Sequence, residues 1–138
     1  FFTGGRPDVL QATDQIVNWF KDLGPFINID VPLVGTDNFD FMMMGVPNLV
    51  ANHEEYNYAL NYHAESDTYD KVDIVQLKKN TVIVAALTLE YANDLSIKLK
   101  RQTRSEIETL IINTDLEDQM RAMMNVWDEW TTGIRGRQ

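Results

Sequence analysis

An α/β fold, helix-rich, is the class that the sequence predicts, and two observations carry the prediction. Helical and strand-like segments alternate over the first hundred residues, in the order helix, strand, helix, strand, helix, as expected for a sheet with helices on its faces. The segment 73–100 then places Ile74, Leu77, Val82, Val84, Ala85, Leu87, Leu89, Ala92, Leu95 and Leu99 on nearly every face of a helix, a pattern that implies burial against a sheet. The composition fits a globular chain of one domain or part of one: 138 residues, 44% hydrophobic and 24% charged.

The first helix is predicted over 8–23, where Val9, Ile16, Val17, Phe20 and Leu23 recur at three- and four-residue spacing. Asp8 after Pro7 caps its start, and Gly24 and Pro25 stop it. Residues 26–31 carry Phe26, Ile27, Ile29 and Val31 between prolines and read as a strand. A turn follows at Val34, Gly35, Thr36 and Asp37. Residues 37–44 form a short helix closed by Gly45, and 46–51 a second short strand.

Residues 52–72 are polar, aromatic and acidic without a period. They read as a long loop, and loops of that length are usually functional. The long helix 73–100 comes next, then a helix at about 103–113. A last helix opens at Thr114–Glu117 with a capping-box pattern and runs to about Thr132. Its Met120, Met123, Met124, Trp127 and Trp130 read as core or interface. Two strands cannot cover a helix as apolar as 73–100. Either strands from outside the chain or the last helices must do so.

Several functions are excluded by charge and composition. A net charge of −9 argues against a nucleic-acid partner. The one basic cluster, Lys98, Lys100, Arg101 and Arg104, reads as a solvated helix end. The apolar run 81–89 is too short to span a membrane. With no cysteine there is no disulfide and no thiolate metal site, so a metal would need His, Asp and Glu. No EF-hand spacing is present.

One ordered set of motifs goes further. Gly35-Thr36-Asp37 with Phe41, then Gly45-Val46-Pro47, then Tyr62-His63 with Asp67-Thr68 and Lys71-Val72-Asp73, resembles the C-terminal part of the di-zinc exopeptidases. That family includes carboxypeptidase Q, the glutamate carboxypeptidases and bacterial aminopeptidases. The resemblance covers roughly residues 1–95. It implies that residues 1–100 are the C-terminal part of a zinc-exopeptidase catalytic domain (phosphorylase/hydrolase-like), with residues 101–138 a helical extension packed on it.

The resemblance also implies roles. His63 aligns with the family's last zinc-ligand histidine, and Tyr62 with a tyrosine that hydrogen-bonds a substrate or product carboxylate. Gly35 and Asp37 fall on the turn that shapes the substrate pocket, and Asp67 orients the loop, supporting the ligand histidine. The implied activity is hydrolysis of a terminal peptide bond with two zinc ions per complete site and a metal-activated water. The family's other ligands and its Glu general base lie before the matched region. Only one ligand histidine is therefore expected in this chain, which alone should hold zinc incompletely or not at all and be inactive. The Glu54-Glu55 pair lies at the wrong place for the base and reads as solvated loop, and His53 has no family role.

The chain begins at Phe1 rather than Met, so an upstream segment is expected to have been removed. By resemblance the complete protein is secreted or periplasmic, takes a peptide substrate, and associates with its N-terminal part or with a second copy. The other reading is a non-catalytic structural or protein-interaction module derived from the same fold.

Overall fold

The computed structural model describes residues 1–53 and 57–138. It is built from helices: α1 (Pro7–Val17), α2 (Asn38–Met43), α3 (Tyr58–Asn61), α4 (Ile74–Asn93), α5 (Arg104–Asn113), α6 (Leu116–Ala122) and α7 (Val126–Thr131). Short 3₁₀ turns occupy Asn18–Leu23 and Tyr69–Lys71.

This corrects the expected α/β architecture. Among the described residues there is no strand and no sheet. The two segments read as strands each make a single bridge, both to Phe2, parallel at Ile29 and antiparallel at Val50. The Phe2 amide donates to the Val50 carbonyl, and the Val50 amide to that of Phe2, both at 3.0 Å. On the other side the Ile29 amide donates to the Phe1 carbonyl at 2.8 Å, and the Gly4 amide to that of Val31 at 3.1 Å. Ladders do not grow because the central segment is too short. Gly4 and Gly5 take positive φ, and Pro7 starts α1 immediately afterwards.

α1 follows its apolar period. Val9, Ala12, Thr13, Ile16 and Val17 form its buried face. Its α-helix ends at Val17, not Leu23, because Phe20 leaves helical geometry (φ −125°, ψ 33°). Buried Arg6 closes the front, donating to Asp8 at 2.6 Å and to the Lys100 carbonyl at 2.8 Å. Thr13 is fully buried yet satisfied, donating to the Val9 carbonyl and sharing a 2.7 Å bond with the Tyr91 hydroxyl.

α4 is capped by Asp73, whose carboxylate accepts from the Gln76 amide at 3.0 Å. It ends at Asn93, before the expected residue 100. Ile83 and Leu87 pack with Ile16 and Val17, and Phe1, Phe20, Leu23, Phe26, Tyr91 and Ile97 partly cover them. The rest of its apolar surface is open. Val75 is 79% exposed, Val82 56% and Leu89 61%, so burial against a sheet is not what these residues find here.

The second core joins α2 to α5, α6 and α7 through Phe39, Met42, Met43, Ile107, Leu110, Ile111, Leu116, Met120, Val126 and Trp130. The capping box sits on α5, where Thr103 and Glu106 cap each other's backbone, and not at Thr114–Glu117. The predicted last helix is two helices, parted where Met123 is extended and Asn125 left-handed (φ 62°). Of the basic residues read as a solvated helix end, Lys98 and Lys100 are exposed, while the two arginines bond into this core. Arg101 donates to the Met44 carbonyl at 2.7 Å, and the Arg104 guanidinium lies 3.9 Å from the Trp130 ring centroid.

Gly45 joins the same core to the loop before α5. The Gln102 amide donates to the Gly45 carbonyl at 2.8 Å. A Cβ on Gly45, whose φ is +76°, would lie 2.2 Å from the Gln102 carbonyl oxygen, so only glycine fits.

Candidate functional site

The segment between Asn57 and Asp73 builds the candidate site. Tyr58 and Tyr62 are four residues apart across the single turn α3, which places their rings on one side. The Tyr62 amide donates back to the Tyr58 carbonyl at 2.8 Å. The next residue, His63, takes left-handed backbone geometry, φ 55°. An extended residue there would throw its side chain to the opposite side. The left-handed turn lays the imidazole on the Tyr62 ring instead, with centroids 3.9 Å apart and planes 21° from parallel.

Tyr62 in turn stacks on Tyr58, at 4.8 Å and 27°. The His53 ring meets Tyr58 edge-on at 6.0 Å and 84°. This row of rings stands in solvent: Tyr58 is 51% exposed, Tyr62 53%, and His63 is exposed as well. The Tyr58 phenol is held above its ordinary range, first by desolvation, then by the charge and hydrogen bond of the Tyr62 phenol, and last by Asp67. Asp67 is exposed, and its amide donates to the Ala64 carbonyl at 3.0 Å. Among the described residues no hydrogen bond joins its carboxylate to His63, whose ring lies on that of Tyr62.

Asp70 closes the far side of the loop. It bonds Lys71 and Thr68, in that order of weight, and these hold its carboxyl below the usual carboxylate range. The Tyr69–Lys71 turn leads from there to the Asp73 cap of α4.

The other expected site residues stand apart. Gly35 has φ +101° and nothing within 4 Å of where a Cβ would be, so its turn is open. Asp37 is the exposed residue before α2 and makes no side-chain cap. Among the described residues no hydrogen bond or ring contact joins this turn to Tyr62 or His63. The Glu54-Glu55 pair lies outside the described residues.

Zinc needs about three protein ligands in a catalytic site. Among the described residues no group of three His, Asp and Glu side chains could hold a metal ion. These residues therefore do not fit a complete zinc site, and His63 can offer one imidazole. Two grooves are present elsewhere. The larger, 490 Å³, runs between α4 and the bridge segments, lined by Phe1, Leu49, Val84, Leu87, Thr88 and Tyr91. The smaller, 290 Å³, lies where α1 and its 3₁₀ extension meet the end of α4. Neither includes the aromatic row. No described helix is long and apolar enough to cross a membrane.

Tyr58 and the His53 contact were not foreseen. The signal was in the sequence, as tyrosines at i and i+4 followed directly by a histidine, but read as a loop without period these residues had no common face. Comparison with known proteins adds no relative: no family model, no curated protein and no solved structure matches the chain.

Proposed function

We propose that this chain supplies part of the active site of a zinc-dependent exopeptidase, an aminopeptidase or carboxypeptidase that hydrolyses a terminal peptide bond. In this reading His63 offers an imidazole to a metal centre whose other ligands and general base come from outside these residues. Tyr62 contacts the terminal residue of the peptide. The chain alone is inactive, since one imidazole does not hold a catalytic zinc.

The observation that carries the reading is the exposed Tyr62–His63 pair, with His63 held in left-handed geometry and its ring fixed on a neighbour rather than buried. Left-handed backbone costs a non-glycine residue energy, and residues held in it cluster at functional sites.

The test uses the protein as its gene encodes it. Release of terminal residues from short peptides should vanish on chelation and return with zinc. His63→Ala should lower kcat/KM by at least about 10²-fold, the scale of losing support at a metal centre. Hydrolysis indifferent to chelation or to His63→Ala overturns the proposal. Absence of any hydrolysis overturns it too and favours the interaction module, which the exposed Val75, Val82, Leu89 and Met124 support.

A further inference from the structure

We infer that Tyr58 is a positioning residue for the His63 imidazole, acting through the ring of Tyr62. This role rests on the reading of His63 given above, although the ring row can be tested without it.

An exposed side chain is normally free to change rotamer, because no packing selects one. His63 is exposed, and among the described residues no hydrogen bond joins its ring to the Asp67 carboxylate. What it does have is a flat contact with Tyr62 at 3.9 Å. Tyr62 is itself half exposed and follows the last residue of a four-residue helix. Its own ring is held by Tyr58, through the 4.8 Å stack.

Tyr58 is thus the first fixed member of the series. It is the first residue of α3, its ring meets His53 edge-on, and its carbonyl accepts the Tyr62 amide. Offset or edge-on aromatic pairs are favoured over random contact even when partly wet. A series of them can pre-set the direction of the last ring. Pre-setting matters at a reacting centre, where small displacements of a ligand or contact residue cost much of the rate.

The experiment is proton NMR of the full 138-residue chain, reading the imidazole Cδ2 and Cε1 protons of His63. A ring stacked on Tyr62 shifts them upfield of an unstructured histidine. Tyr62→Ala should remove the shift. Tyr58→Ala should remove most of it, and Tyr58→Phe, which keeps the ring and loses the phenol, should retain it. In the encoded protein, Tyr58→Ala should lower kcat about tenfold with little change in KM, and Tyr58→Phe should restore it.

A wild-type imidazole at unstructured shifts overturns the inference. So does a Tyr58→Ala chain whose His63 signals stay in place, or a Tyr58→Phe chain that behaves like Tyr58→Ala. Failure of the underlying reading looks different: the NMR pattern holds, but hydrolysis ignores His63→Ala, and the row then has no reacting centre to serve.

Discussion

The core that joins α2 to α5, α6 and α7 leaves Met43, Ile107, Leu116 and Met120 with no exposed surface. The apolar cluster between α1 and α4 is smaller, with Ile16, Val17, Ile83 and Leu87 buried in it, and the same α4 turns Val75, Val82 and Leu89 to water. The residues with a recognisable motif and those that hold the fold together are therefore largely different. α5, α6 and α7 carry no motif and form most of the closed core. The aromatic row leads through the Tyr69–Lys71 turn to α4, which buries only Ile83 and Leu87 of its twenty residues. Interior packing at native density makes each buried group costly to remove, and a half-open face does not.

The largest effect should come from the closed core. Trp130→Ala removes a 3% exposed ring that carries the Arg104 guanidinium, and should lower stability by about 3–5 kcal/mol in urea denaturation. Leu87→Ala, at the thin core, should cost clearly less because its surroundings are partly open to solvent. Equal losses would break the contrast between the two cores.

A smaller effect concerns acid. Burial works against the Asp8 charge, but the hydrogen bond and charge of Arg6 outweigh it, and the carboxyl lies below its usual value of 3.8. A carboxyl lowered on folding stabilises fully above its unfolded value and loses that contribution as pH falls through the folded one. Asp8 is about half exposed in its side chain, so Asp8→Asn should cost less than about 1 kcal/mol at neutral pH. The gap between wild type and variant should narrow below about pH 4. A gap that widens on acidification refutes the assignment. The smallest change belongs to the open face: Val82→Lys should leave stability within about 0.5 kcal/mol in urea denaturation. A loss above about 1 kcal/mol would mean that Val82 is covered.

Much of the helical layout was legible in the sequence. The apolar spacing of α1, the Asp73 start of α4 and the extent of α5 all follow from local rules, as does the Gly35 turn. The sheet was not legible correctly. Phe26 to Val31 and Val46 to Ala51 have the residue types of strands, but β propensity describes fitness for a pleated neighbour and cannot say that one will be there. The break at Asn125 was equally hidden, because Met120, Met123, Met124 and Trp127 keep helical spacing across it. At the candidate site, a motif singled out His63, whereas the ring it stacks on is that of the adjacent residue. Ring contact between consecutive residues depends on a positive φ that no spacing rule reports.

The contact of Gly45 with Gln102 has a consequence for tracing this arrangement in other chains. Side-chain identities in the closed core can drift while volume is kept, but two backbones in contact leave no room for drift. A glycine closing a short Met-rich helix, followed much later by a Thr-x-x-Glu box one residue beyond its backbone partner, is a fingerprint set by geometry. It should stay readable in sequences too distant for overall similarity to register.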